Sequence, residues 1–264
     1  MKTAIKFLII IFCLLFYPKL QCFAQTSVIF PDQIGDALLS KIVEEYTPTD
    51  TEDTLNYDEA RDIMYSQIDN NNGMVSGVYT NYQITLDNNS DPSSNAFSQD
   101  INAEHVWPQS RGAGQEPARS DLHNLFPARV QVNSARGNKA FLDIFDPQTD
   151  DWYRNTEKLE VIPPTKIDEY SESNSVNFEP REVKKGDVAR AVFYFYTIYR
   201  DEADNQAPGF FAEQQNTLCE WHKFDPVDSN ELERSRKIAE FQSNENPFVI
   251  DESLAERLYC SNNS

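Results

Sequence analysis

Helical spacing of apolar positions stands out twice in this chain. Over residues 58–68, Ala60, Ile63, Met64 and Ile68 fall on one side of a helix. After Asp187, a suitable N-terminal cap, Val188, Ala191, Val192, Phe195 and Tyr199 form a longer stripe that predicts a core-facing helix. Asp228-Ser229-Asn230-Glu231 has the form of a capping box and predicts a further helix to about Phe241. Strand formers dominate elsewhere. Residues 75–86, punctuated by Gly77, read as extended, and residues 101–107 read as a strand stopped by Pro108. Residues 122–126 predict a short extended piece, after which Pro127 suits the first turn of a helix ending near Arg136, with Gly137 as its stop. The polar residues 87–99 read as a long surface loop. Helices gathered around a small sheet make this an α+β chain.

The N-terminus reads differently. Lys2 and Lys6 precede an unbroken apolar run over residues 7–17, and Cys22-Phe23-Ala24 supplies small residues for cleavage after Ala24. That run is shorter than the ~20 residues needed to cross a bilayer, so residues 1–24 are expected to be a secretion signal. Residues 25–264 then form one exported domain, for no repeat or Gly/Ser linker divides them. Cys13 and Cys22 leave with the signal. Cys219 and Cys260 remain as an even pair bound for an oxidising compartment, which suits a disulfide, with two buried free thiols as the alternative.

Charge complicates the choice of partner. The chain carries −20 overall, and losing the three lysines of the leader takes the exported part to −23. Such a body repels polyanions at long range, which by itself argues against binding nucleic acid. Residues 106–142 run the other way: Arg111, Arg119, Arg129, Arg136 and Lys139 face only Glu116 and Asp121. A local cationic channel on an acidic body can still grip phosphate.

Candidate chemistry lies within and beside that segment. Asn102-Ala103-Glu104-His105-Val106-Trp107-Pro108 places a carboxylate next to an imidazole, and Arg119-Ser120-Asp121-Leu122-His123-Asn124-Leu125-Phe126-Pro127 leads to Val132-Asn133. A neutral histidine can deprotonate water near neutral pH, while carboxylate and carboxamide oxygens can hold a hard cation. Strand alternation puts Glu104 and His105 on opposite faces, so one site can use both only where the strand ends or bends. His123 and His222 lack such neighbours, and Asp121 reads as a hydrogen-bond brace.

These two stretches, in this order and spacing, resemble the half-sites of the endonuclease I family, secreted ββα-metal nucleases of the His-Me finger superfamily. More loosely, Phe178-Glu179-Pro180 and residues 186–194 resemble that family's core-helix segment. The resemblance implies a ββα-metal motif embedded in a mainly helical single domain with a small antiparallel sheet. It implies His105 as general base, Glu104 and Asn133 as ligands of a divalent cation (Mg²⁺ first, Ca²⁺ or Mn²⁺ also suitable), and DNA or RNA cleavage leaving 5′-phosphates. The family's phosphate-binding arginine has no certain counterpart in the short connection here. Arg111 is the first candidate and Arg119 the second. A secreted or periplasmic location follows, with no membrane and no obligate protein partner. Two other readings stand beside this one: a non-catalytic secreted binding or adhesion module, and a glycoside hydrolase drawing on the 43 acidic residues. Neither requires His105. The expected acid limb of activity, set by an ordinary histidine, lies near pH ~6.5.

Overall fold

A computed structural model describes residues 27–48 and 55–260; the expected leader lies outside the described residues. The chain begins with α1 (Gly35–Tyr46) and α2 (Tyr57–Ile63), the latter running on through a π-helical turn, Met64–Ile68. A small sheet follows, β1 (Asn70–Asn71), β2 (Met74–Ser76) and β3 (Gln83–Thr85), then α3 (Pro92–Ser98). Next come β4 (Ile101–His105), β5 (Leu125–Arg129) and α4 (Val130–Arg136). A five-stranded sheet is built from β6 (Ala140–Phe141), β7 (Asp151–Arg154), β8 (Glu157–Leu159), β9 (Ser171–Ser173) and β10 (Asn177–Glu179), in the order β6-β10-β9-β7-β8. Helices complete the chain: α5 (Lys185–Ile198), α6 (Arg200–Gln206), α7 (Phe210–Phe224), α8 (Ser229–Gln242), α9 (Pro247–Ile250) and α10 (Ser253–Ala255). The architecture is α+β, with three small sheets rather than one, and the β6–β10 pair is parallel while the other strand pairs are antiparallel. Among the described residues no helix is long and apolar enough to cross a membrane.

Helix α5 is the spine. The predicted stripe is buried, but so is almost every other position, because α5 is enclosed on all sides. Phe193 contacts Phe211 of α7 and Phe248 of α9, and Trp107 stacks on Phe195 at 5.2 Å. Arg190 is fully buried, and its guanidinium makes a two-pronged contact with Glu231 of α8 at 2.7 and 2.6 Å. At Gly186 a side chain cannot fit, for an added Cβ would stand 1.9 Å from the Asp225 carbonyl oxygen. Asp187 is not the cap. It lies inside the first turn, buried beside Lys184 and Arg190, and Lys184 at the N-cap position makes no side-chain cap. Asp228 does cap α8, accepting from Asn230 and Glu231 backbone N–H groups at 2.8 Å each. Cys219 and Cys260 form a disulfide that ties α7 to the last turn of the chain.

Three local expectations change. Residues 75–86 are a hairpin rather than one extended run, since Gly77 to Tyr82 turn back between β2 and β3. The expected loop at residues 87–99 contains α3, capped by Asp91 through the Ser94 N–H at 2.8 Å. Pro127 belongs to β5, opposite Ala103, and the helix starts three residues later. Its carbonyl points away from β4 to accept the Val78 N–H at 2.8 Å. The missing proline N–H shares that outward side, so the ladder loses nothing.

The β4–β5 ribbon is held from both faces. Phe126 and Ala128 enter the main core with α5 and α7, whereas Ile101 and Leu125 enter a second apolar cluster with α2 and β2–β3. The C-terminal end of β4 is therefore fixed between two packed layers, with α4 following directly from β5.

Candidate active site

Glu104 and His105 close strand β4. Their side chains leave on opposite faces, as alternation demands: Glu104 meets Tyr79 and Arg136, and His105 meets Tyr57. The chain bends away at residues 106–107, so both groups still border one opening. That opening is a cleft of about 410 Å³ lined by Glu104, His105, Gln109 and Ser110 on one side and by Asn133 and Asn138 on the other.

Each of the three expected site residues is oriented by partners, and those of Glu104 and Asn133 leave one oxygen available. Glu104 is almost wholly buried. Its Oε1 accepts the Tyr79 hydroxyl at 2.7 Å and lies 3.2 Å from Arg136 Nε, an ion pair without hydrogen-bond alignment. Oε2 has no protein partner among the described contacts. Burial pushes this carboxyl up to about 7, against the opposing pull of Arg136 and Tyr79. Asn133, on α4, donates both amide hydrogens inward, to Asn102 Oδ1 at 2.9 Å and the Ala103 carbonyl at 3.0 Å. Its oxygen is thereby left for an electropositive partner.

His105 is fixed in one tautomer. Nε2 sits 2.9 Å from the Arg119 carbonyl, which can only accept, so Nε2 carries the proton. Nδ1 keeps its lone pair and accepts from the Gln109 carboxamide Nε2 at 3.2 Å. Burial lowers the imidazole to about 4; the carbonyl hydrogen bond opposes this, and the charges of Arg119 and Arg136 add to it. The ring is neutral throughout the neutral range. The ordinary histidine value near 6.5 expected from the sequence therefore does not hold for this ring.

The Asp121-to-Asn124 block is what holds the His105 loop. Asn124 clips onto the Trp107 backbone, accepting from its N–H at 2.6 Å and donating to its carbonyl at 3.1 Å. Asp121 accepts from Tyr194, Tyr199, Gln242 and the His123 N–H. The brace reading of Asp121 fits this arrangement. His123 and His222 point Nε2 at the carbonyls of Asn244 and Glu252, and burial lowers both to about 4. Both are packing residues.

Neither candidate arginine lines the cleft. Arg111 gives its Nε to the Asn138 carbonyl at 2.8 Å and lies over Phe210. Arg119 lies over the Tyr57 ring, 4.3 Å from its centre. Four residues that orient the site escaped the sequence reading: Tyr79, Asn102, Gln109 and Arg136. The first and last meet Glu104 from 25 and 32 positions away, and nothing in local spacing signals such contacts. Arg136 entered only as a positive charge.

The family model for Endonuclease I matches residues 33–253. This chain belongs to the endonuclease I family. Similar proteins include an extracellular ribonuclease of Bacillus subtilis (strain 168), 34% identical over 61% of this chain and 54% of that protein. An extracellular deoxyribonuclease of Aeromonas hydrophila is 31% identical over 49% of this chain and 48% of its own length. A periplasmic deoxyribonuclease of the same organism is 31% identical over 49% and 46% respectively. This endonuclease I family member thus spans about half the length of the relatives it matches.

The donor set of the family member's cleft suits a hard divalent cation. It offers one carboxylate oxygen and one carboxamide oxygen, each left unpaired by partners that fix the rest of its side chain. Among the described residues no group of three His, Cys, Asp or Glu side chains is placed to hold a metal, so a cation in this cleft would also need water or substrate oxygens.

Proposed function

We propose that this chain is a secreted or periplasmic, metal-dependent endonuclease that hydrolyses DNA phosphodiesters with little sequence preference, RNA being a second substrate open to the same chemistry. One observation carries the reading: Glu104, His105 and Asn133 border a single cleft, with Oε2 and Oδ1 left for a ligand and Nδ1 kept as an acceptor, held by the Gln109 amide until a water takes its place. Relatives named for action on either nucleic acid are in keeping with chemistry directed at phosphate rather than sugar.

Glu104 and Asn133 would hold the cation, Mg²⁺ by donor type, with Ca²⁺ and Mn²⁺ able to substitute. When bound, it supplies positive charge to the phosphate and to the departing oxygen. His105 takes the proton from water at Nδ1, while its Nε2–H bond to the Arg119 carbonyl steadies the developing imidazolium. Gln109 marks the approach that a water must use. A guanidinium meets the phosphate; Arg111, at the rim with Asn138, remains the first choice and Arg119 the second. Hydrolysis leaves the phosphate on the 5′ side.

The test is plasmid and RNA digestion with a metal series and a chelator, on wild type and His105→Ala. The proposal expects chelator-sensitive cleavage and at least a ~10²-fold loss in the folded variant. A folded His105→Ala protein cleaving at full rate refutes the base assignment. Intact nucleic acid under every metal condition refutes the activity.

A further inference from the structure

The five cations of residues 106–142 fare unequally in the fold. Arg129 pairs with Asp100 at 2.7 Å, Arg136 lies against Glu104, Lys139 donates to Ser173 and to the Asn174 carbonyl, and Arg111 holds the Asn138 carbonyl. Arg119 differs. Among the described contacts its guanidinium makes no hydrogen bond and no ion pair, and its Nε is buried without an acceptor. It rests on the Tyr57 ring, and so does Arg61, one helical turn along α2, at 4.8 Å from the ring centre. Arg61 also has a buried Nε without an acceptor, and its one ion partner, Asp58, is a carboxylate 82% exposed to water. The same Tyr57 ring stands 5.4 Å from the imidazole of His105.

Two guanidiniums gathered on one ring repel each other, and a buried N–H without an acceptor is unfavourable. The ring's negative face offsets only part of this. An oxyanion between or beside the guanidiniums removes both penalties, and a phosphodiester matches their planar, two-pronged donors. In a chain of net charge −20, two arginines without a buried ion partner thus share the ring that stands beside His105.

We infer that Tyr57, Arg61 and Arg119 form a binding platform for a backbone phosphate flanking the one to be cleaved. The inference rests on the nuclease reading. Tyr57 sets the spacing of the two arginines and joins the platform to His105. A strand crossing the cleft thus gains a second phosphate contact on the His105 side, supplied by α2, far from either half-site in sequence.

Fluorescence anisotropy of a labelled single-stranded oligonucleotide, in chelator and across a salt series, tests it. Arg61→Gln and Arg119→Gln are each expected to weaken Kd about tenfold and to lower the slope of log affinity against log salt by ~0.7. Arg61→Lys should keep the slope and recover part of the affinity, since the charge stays and the fork is lost. Lys223→Gln, which removes an exposed cation on α7, is the charge control. Arginine variants that match wild type in Kd and slope, or move no further than Lys223→Gln, overturn the platform. Melting curves confirm folding, and Arg119→Gln and Arg61→Lys are read independently if Arg61→Gln is unfolded. Binding in chelator requires no turnover, so a failure of metal-dependent cleavage in the digestion assay is a separate result that strikes the nuclease reading alone.

Discussion

Removing the Asp121 carboxylate should destabilise this protein far more than removing any one of its partners. Asp121 is buried and accepts four hydrogen bonds: Tyr194 and Tyr199 hydroxyls at 2.7 and 2.8 Å on one oxygen, Gln242 Nε2 and the His123 N–H at 2.9 Å each on the other. Asp121→Ala strands three of these donors in the core; Gln242 retains its second bond, to Asn244. At about 1–3 kcal/mol per stranded group, and allowing for water entering the space left by the carboxylate, the expected loss is ~4 kcal/mol. Tyr199→Phe removes one donor and leaves the carboxylate three others, so ~1 kcal/mol is expected. Asp121→Asn should fall between them, because an amide nitrogen then faces the two hydroxyls. Urea unfolding followed by tryptophan fluorescence measures all three, and the Ala variant should melt about 8–16 °C below wild type. An Asp121→Ala protein no less stable than Tyr199→Phe would refute the claim that this carboxylate organises the block.

The Cys219–Cys260 bond closes a loop with a sequence separation of 41, and the double Cys→Ala variant should lose ~4 kcal/mol in denaturant unfolding by chain entropy. Glu172 is pushed up to about 8 by burial, with the charges of Glu179 and Asp146 adding to it. The folded state therefore holds a proton that the unfolded carboxyl, near 4.5, has released, and stability from this group is lost as pH rises from about 4.5 to about 8. Urea midpoints at pH 5 and pH 8 should differ less in Glu172→Gln than in wild type. Gly186→Ala should cost ~3 kcal/mol or more, at the upper end of overpacking effects, because the clash is with backbone; a Tm equal to wild type would contradict this.

What could be read beforehand follows the range of the forces involved. The stripe Val188, Ala191, Val192, Phe195 and Tyr199 was legible because one repeating environment fixes those positions. The convergence of Glu104, His105 and Asn133 on one cleft was legible because motif order survives folding as adjacency: β5 pairs with β4 in a register that carries Asn133, just beyond it, back to Asn102 and Ala103. Pro127 misled because a local rule about helix starts competed with strand pairing, which depends on Val78 supplying a donor to its outward carbonyl. Asp187 misled in the same way. It looks like a cap, but Lys184 and Arg190 draw it into a buried charge cluster at the start of the helix. The partners of Glu104 were illegible for a plainer reason: Tyr79 and Arg136 reach it from opposite directions in the chain, and only the packed ribbon brings them together.

The charge argument changes most once the fold is known. The cations of residues 106–142 suggested a positive channel, yet four of the five are engaged within the protein, Arg111 through the Asn138 carbonyl. Arg129 and Arg136 meet carboxylates, and Lys139 is tied to Ser173 and Asn174. Arg136 in particular faces inward, fully buried, and acts on Glu104 rather than on solvent. A count of charges along a segment therefore overstates the field available to a ligand. Of these five cations only Arg119 lacks a polar partner among the described contacts, in a body that is acidic overall. Long-range attraction of a polyanion is then weak, and under the proposed function recognition of phosphate would rest on short-range, directional contacts at the cleft. The same geometry bears on Glu104, whose high pKa reflects burial that Arg136 and Tyr79 only partly offset. Under the proposed function, the two oxygens left without protein partners, on Glu104 and Asn133, are where a hard cation would complete the site.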